Sequence, residues 1–280
     1  MSSFCIKTNN DKFIDYFFNN ISTIISDDTF IKKKKLKIYD NIFIHYKGNN
    51  INTFYEKLSY YITDCIINTY ENEILNKLLM SNYFYFLDYE QIEIKNIIDE
   101  LISSDEHSRR KELINISLKE YFKEGNKKMI LDGFITFRLK DYIEVLDYVV
   151  DLSVNNYLIK REYFEFIKLL KNYLEKQKST CDIVHLIYLN NESILLDSSF
   201  NIINTSLDTS FLNKYSNIEF SSNDYSLNTL LNIVPKKLYI HLIDNEDEFI
   251  QTLKLIFEDT IYICTNCEIC NYYKNKVIKK

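Results

Sequence analysis

Three consecutive segments decide the fold: LYIHLI at residues 238–243, DEFIQTLKLIFE at 247–258 and IYI at 261–263. The first and third are almost unbroken apolar runs, which are typical of strands buried on both faces. The middle segment has apolar residues three and four positions apart, the spacing of an amphipathic helix. A strand, a crossover helix and a second strand in this order predict a parallel pair of strands.

Two hairpins are predicted in front of this unit. Residues 183–189 and 193–197 are strand-like on either side of Asn190-Asn191, and residues 36–39 and 42–46 flank Asp40-Asn41 in the same way. Asn and Asp tolerate positive φ, so both pairs suit tight turns. We expect a mixed sheet in the C-terminal third of the chain. The N-terminal strands, which include residues 4–7, are candidates for joining it.

The middle of the chain reads as helical. Apolar residues recur every four positions between 52 and 81, and again at helical spacing between 132 and 177. The weak helix formers Asn155 and Asn156 favour a helical hairpin that turns near residues 155–158. The expected class is therefore α+β, in three parts: an N-terminal strand, helix and hairpin element (1–48), a helical region (50–178) and an α+β region (181–280).

Composition excludes several functional classes. The 280 residues include three glycines, and Gly48, Gly125 and Gly133 stand far apart. Phosphate-binding loops and dinucleotide fingerprints need closely spaced glycines, so neither is present. A net charge of −6 argues against a general nucleic-acid binder. The basic runs at 32–35 and 109–111 are interpreted as solvated faces and edge-strand protection.

One block resembles a known family. The stretch DGFITFRLKDY at 132–142, followed by Val150-Asp151 and by REYFEFIKLL at 161–170, is similar to the YtxC-like family, and the closing CTNCEIC at 264–270 fits the same pattern. The densest likeness covers residues 132–177. The resemblance implies a cytoplasmic, sporulation-associated protein of endospore-forming bacteria, and it implies no particular biochemical activity.

Charged residues inside this block are candidates for a polar cluster between packed helices. Spacing alone favours ordinary ion pairs along helix faces, with Arg138 close to Asp141 and Arg161 four positions before Glu165. The alternative is a buried network, in which the loss of one partner is costly. The residues assigned to the candidate cluster are Arg138, Asp141, Asp151, Arg161 and Glu162.

Cys264, Cys267 and Cys270 form the constellation with the clearest chemistry. Thiolates at CxxC spacing can converge on one soft cation, and this spacing occurs in sites for Zn²⁺ and for iron–sulfur clusters. A closed zinc site needs four ligands, and no Cys or His follows Cys270 in the sequence. The candidates for the fourth ligand are Cys181, Cys5, His185 and His241.

Two other interpretations of the cysteines stay open. A thioredoxin-like redox pair requires a helix N-terminus, and the sequence after Cys264 shows no helical pattern. The three thiols are alternatively inert, as reduced intracellular cysteines often are. With no catalytic motif in the sequence, we expect a non-catalytic binding or scaffold protein with a protein partner. The alternative is a redox or metal-dependent enzyme that acts through the same cysteines.

Overall fold

The chain divides into two compact units, residues 1–159 and 160–280. The structure, a computed structural model, describes residues 2–21, 28–36, 38–104, 107–204, 221–243 and 245–277. Helices are combined with two mixed sheets of four strands each, which confirms the α+β class. Within the described ranges, every helix is too short or too polar to cross a membrane.

The first ten elements run from residue 2 to residue 176. In chain order they are β1 (Ser2–Thr8), α1 (Asp11–Asn19), β2 (Thr29–Leu36), β3 (Tyr39–Tyr46), α2 (Ile51–Asn82), α3 (Asp88–Ser104), α4 (His107–Lys123), β4 (Lys128–Ile130), α5 (Leu131–Arg138) and α6 (Lys140–Lys176).

The N-terminal strands build a sheet of their own and do not join the C-terminal one. Its order is β2-β3-β1-β4, with β1 and β4 parallel and the other pairs antiparallel. The predicted turn at Asp40-Asn41 is wrong, because both residues lie inside β3, opposite Thr8 and Lys7 of β1. The hairpin strands end at Leu36 and resume at Tyr39. The first of these strands was not predicted over its full length, because its lysine run shows no alternation of apolar and polar residues.

The two basic runs differ in how exposed their side chains are. Residues 32–35 lie on β2, an edge strand, with exposed side chains, as predicted for edge protection. Arg110 is only 2% exposed, so the interpretation of residues 109–111 as a solvated face is wrong for this residue. Its guanidinium pairs with Glu71 inside the helical core, which explains how a charge is tolerated there.

The predicted helical hairpin at residues 155–158 is also wrong. Helix α6 continues through these residues, and the break in the block falls earlier, at Leu139 between α5 and α6. Asn155 and Asn156 are exposed, while Val154 and Tyr157 beside them are buried. Packing of the apolar neighbours therefore outweighs the weak helix propensity of two solvated asparagines.

The second unit contains the predicted parallel strands. Its elements after α6 are β5 (Ile183–Leu189), β6 (Glu192–Leu196), α7 (Ser222–Ile233), β7 (Lys237–Leu242), α8 (Glu248–Phe257), β8 (Ile261–Cys264) and α9 (Glu268–Val277). The sheet order is β6-β5-β7-β8, with β5, β7 and β8 mutually parallel. Asn190 and Asn191 both have positive φ, which confirms the tight turn between β5 and β6.

Alternation along the strands gives this sheet two different faces. Val184, Leu186, Leu238 and Ile240 share one buried apolar cluster with residues of α8. The intervening positions, His185 on β5 and Tyr239 and His241 on β7, point to the opposite face because successive side chains of a strand alternate. The candidate site is built on that second face.

Candidate metal centre

The register of β7 and β8 brings the first two site residues together. His241 pairs directly with Cys264 in the parallel ladder, and each stands near the carboxyl end of its strand. Ligands commonly lie at this end of parallel strands in open sheets. Hydrogen bonding between the strands therefore sets the position of an imidazole beside a thiol.

Helix α9 supplies the other two thiols. It begins at Glu268, directly after Cys267, and Cys270 lies in its first turn. The Sγ atom of Cys267 accepts a weak hydrogen bond from the backbone N–H of Cys270, at 3.5 Å, as a side chain that caps a helix does. The expectation that no helix follows Cys264 is wrong. Among the described side chains at 268–274, Cys270 is the one that is fully buried. A helix that buries so little has no apolar stripe, so its sequence shows no helical periodicity.

The four side chains converge on a small volume. One ligand atom each from His241, Cys264, Cys267 and Cys270 lies within 4.8 Å of all the others. Nδ1 of His241 is 3.2 Å from Sγ of Cys267 and 3.5 Å from Sγ of Cys270. Sγ of Cys270 is 3.6 Å from Sγ of Cys267 and 3.8 Å from Sγ of Cys264.

These four distances, 3.2–3.8 Å, are close to the edges of a tetrahedron around one ion. With Zn–S near 2.3 Å and Zn–N near 2.0–2.1 Å, a regular tetrahedral site places sulfurs about 3.8 Å apart and nitrogen about 3.6 Å from sulfur. Iron–sulfur clusters are held by thiolates on different irons, which separates the sulfurs more widely. The donor set and its spacing therefore fit a single tetrahedral cation.

Of the four candidates for a fourth ligand, His241 is the one that faces the three thiols. His185 lies behind it, with Nδ1 3.0 Å from Nε2 of His241. Sγ of Cys181 lies 3.4 Å from the carbonyl oxygen of Ile183, and Cys5 belongs to β1 of the first unit, beside Asn41. The sequence did contain a signal for His241, because aligning the two predicted parallel strands places it next to Cys264.

Burial and hydrogen bonding shift the pKa values of the candidate ligands in different directions. Burial, with a smaller contribution from His185, lowers the pKa of His241 to about 4, so its imidazole is neutral at neutral pH. Burial raises the pKa of Cys270 to about 11. Burial opposes ionisation of Cys267 as well, but hydrogen bonds from the backbone of Cys270 and from the thiol of Cys264 bring its pKa below the ordinary value. Neutral imidazole and thiolate are the forms that bind metal.

The candidate polar cluster is distributed over several separate contacts. Arg138 donates hydrogen bonds to both carboxylate oxygens of Glu124, at 3.0 and 3.2 Å, on the surface of the first unit. Asp151 accepts a hydrogen bond from the hydroxyl of Tyr83 at 2.7 Å.

Two further members of the set lie in the second part of α6. Arg161 and Glu162 are neighbours there, and Nε of Arg161 stands 3.8 Å from Oε1 of Glu165, at the helical spacing of i and i+4. Asp141 lies in the first turn of α6, after the break that separates this helix from Arg138. Arg138 and Arg161 are thus seen in surface ion pairs of the ordinary kind.

Comparison with known proteins gives a family likeness. The model of the YtxC-like family matches residues 56–262, which include His241 and end before Cys264. Among curated proteins, the uncharacterized protein YtxC of Bacillus subtilis (strain 168) is 22% identical over 125 residues. That alignment covers 42% of this chain and 44% of the relative. No solved structure matches the chain.

Proposed function

The chain belongs to the YtxC-like family, and we propose that it is a zinc-binding protein. Cys264, Cys267, Cys270 and His241 hold one Zn²⁺ in a structural site. The observation that carries this proposal is the convergence of three sulfurs and one imidazole nitrogen within 4.8 Å. Soft thiolate and imidazole ligands in a tetrahedral arrangement are the donor set of structural zinc.

Four protein ligands leave no open position for a water or a substrate. Catalytic zinc sites keep such a position, usually with three protein ligands. The Cys₃His set therefore supports a structural role for the ion over hydrolytic chemistry. An iron–sulfur centre is the less suitable occupant, because it needs more widely spaced sulfurs and, in most proteins, four thiolates.

The ion would hold α9 against the sheet. Among the described side chains of this helix, at 268–274, Cys270 is the one that is fully buried, so little apolar area holds the helix in place. Burial of apolar surface contributes about 25 cal/mol per Å², so the small area of one cysteine side chain stabilises the helix only slightly. Metal–ligand bonds supply the missing free energy, as they do in small zinc-dependent folds.

We also propose that the protein acts in sporulation as a non-catalytic binding module inside the cell, with another protein as its partner. This second part is supported by the family resemblance of residues 132–177. The zinc site then maintains the shape of the second unit and performs no chemistry of its own.

Elemental analysis is the test of the zinc site. Protein purified anaerobically, without chelator and without a metal-affinity column, is expected to contain close to one zinc per chain, and the Cys264→Ser/Cys267→Ser variant is expected to contain none. Cys181→Ser is the matched control, since this thiol lies in the same unit outside the cluster. Metal-free wild-type protein with all six thiols titratable would contradict the proposal.

Sporulation is tested separately with the same variants. Replacing the gene in its host by the double-cysteine variant is expected to reduce the yield of heat-resistant spores, while Cys181→Ser leaves the yield unchanged. A normal yield from a strain that lacks the gene altogether would exclude the sporulation role and leave the zinc site standing.

A thiol redox protein is the second candidate function. Its support is the position of Cys267 and Cys270 at the N-terminus of α9, because helix N-termini stabilise thiolates. Iodoacetamide labelling of metal-free protein across a pH series tests this candidate. Ordinary thiols at all three positions exclude redox chemistry. A low pKa at Cys267 is expected of a zinc ligand as well, so it supports redox chemistry only if the purified protein contains no metal.

A further inference from the structure

One of the four proposed ligands, His241, contacts a second imidazole, that of His185. Nδ1 of His185 lies 3.0 Å from Nε2 of His241, and Nδ1 of His241 faces the sulfurs of Cys267 and Cys270. The two rings are nearly parallel, at an angle of 27°, with centroids 5.2 Å apart. Each nitrogen of His241 is therefore engaged in a different direction.

We propose that His185 is a positioning residue that fixes the tautomer and ring orientation of His241 for metal binding. This inference rests on the proposed zinc site. If Nδ1 of His241 gives its lone pair to the ion, the ring proton must be on Nε2, where it is donated to Nδ1 of His185. His185 then carries its own proton on Nε2. One hydrogen bond thus assigns the tautomers of both rings.

His185 is itself held in place for this task. Its ring lies against Tyr239, with centroids 5.3 Å apart, and against Phe200, with centroids 4.8 Å apart. The ladder between β5 and β7 pairs His185 with Tyr239, so His241 is its diagonal neighbour two residues further along β7. The 3.0 Å between Nδ1 of His185 and Nε2 of His241 shows that the two side chains reach each other across this diagonal. Backbone register and ring packing together bring the acceptor nitrogen to the imidazole.

The acceptor is what gives this contact its function. Ligating histidines in proteins generally donate the second ring N–H to an oxygen, and loss of that partner typically reduces metal affinity 10- to 100-fold. Here the acceptor is a neutral imidazole nitrogen. Once a metal ion takes the lone pair on Nδ1 of His241, the N–H on Nε2 needs an acceptor, and Nδ1 of His185 supplies it, whereas packing contacts would leave that N–H without a partner.

Zinc affinity of the full chain, measured by competition with a chromophoric chelator at fixed pH, tests the proposal. His185→Phe keeps a ring for stacking but has no acceptor, and we expect its affinity to fall about 10- to 100-fold. His185→Gln offers an amide oxygen to the same N–H, and we expect it to recover most of the affinity. His45→Phe is the matched control, because His45 is a hydrogen-bonded strand histidine in the other sheet.

Long-range ¹H–¹⁵N spectra of the imidazoles give a readout that packing alone would not move. In zinc-loaded wild-type protein the proton of His241 is expected on Nε2 and that of His185 also on Nε2. Unchanged affinity in folded His185→Phe, or a proton on Nδ1 of His185 in the wild type, would overturn the positioning role. If His185→Phe does not fold, the wild-type tautomers and His185→Gln still decide. Wild-type protein that binds no zinc would overturn the zinc site and this inference together, whereas the other outcomes leave the zinc site intact.

Discussion

Glu71 and Arg110 form a buried ion pair between α2 and α4. Nε of Arg110 lies 3.0 Å from Oε2 of Glu71, and the two side chains are 7% and 2% exposed for Glu71 and Arg110 respectively. Nη2 of Arg110 donates to the second carboxylate oxygen and to the carbonyl of Ile102. The hydroxyl of Tyr142 on α6 donates to the same carboxylate at 2.8 Å. Burial and the negative charge of Glu71 raise the pKa of this phenol, so it stays a donor.

Removing the carboxylate is expected to destabilise the first unit strongly. Glu71→Ala leaves the buried guanidinium without its counterion, which costs about 3–5 kcal/mol in comparable sites. Urea unfolding followed by circular dichroism measures the effect. Glu73→Ala, an exposed carboxylate on the same helix, should change the free energy of unfolding by less than about 0.5 kcal/mol. Equal effects of the two variants would show that the ion pair has no special role.

Tyr142→Phe is expected to cost less than Glu71→Ala. It removes one hydrogen bond to a charged acceptor, a loss of about 1.5–3 kcal/mol, and preserves the buried ring. The double variant with Glu71→Gln should be less destabilised than the sum of the two single variants, because both act on the same contact. Strict additivity in this double-mutant cycle would mean that the two groups are not coupled.

Removal of the metal is expected to release α9 first. After treatment with a strong chelator, backbone amides of this helix should exchange with solvent much faster, because Cys270 provides its main buried contact. Amides of α1 in the first unit serve as the internal control and should be unaffected. Hydrogen exchange with mass spectrometry measures both. Unchanged protection of residues 268–277 would show that α9 is held by other contacts.

Acid should loosen the turn that carries Phe200. Asp197 accepts hydrogen bonds from the backbone N–H of Asn201 at 2.9 Å and of Ser199 at 2.8 Å, and the first of these is the main reason that the pKa of Asp197 lies below its ordinary value. A lowered pKa means that the turn is stabilised above the ordinary value for Asp, near 3.9, and loses this stability as the pH falls through the lowered pKa.

NMR titration checks this turn directly. The carboxyl carbon of Asp197 should titrate below the ordinary value, and the ring resonances of Phe200, which packs on His185, should shift over the same range. Asp197→Asn is the control variant, in which the Phe200 resonances should not follow that titration. An ordinary pKa for Asp197 would contradict the prediction.

Local patterns predicted the second sheet well. Apolar strands, an amphipathic crossover helix and the Asn190-Asn191 turn are each encoded within a few neighbouring residues, and the structure confirms all three. The stripe of α2, with Leu58, Ile62 and Ile66 fully buried, was visible for the same reason. Periodicity reports directly which face of an element is buried.

Features that depend on tertiary contacts were not predicted. The continuity of α6 past Asn155 depends on the burial of Tyr157, whose hydroxyl donates to Glu90. The burial of Arg110 depends on a carboxylate 39 residues earlier in the sequence. Helix α9 depends on a sulfur cap and on thiols that gather at one point. The three-cysteine motif was recognisable in the sequence, and His241 was one of four candidates for the fourth ligand. The register of β7 and β8 was needed to select it.

The spacing of the four ligands along the chain also affects the unfolded protein. Cys264, Cys267 and Cys270 lie within seven residues, so an unfolded chain can gather them around an ion at small cost in loop entropy. His241 precedes Cys264 by 23 residues and joins the proposed site when β7 pairs with β8. At the proposed site, zinc would therefore also bind the denatured state, and it would stabilise the native protein only by the difference between the two affinities. We therefore expect the three thiols to bind the metal before the sheet forms, and strand pairing to add the imidazole as the last ligand.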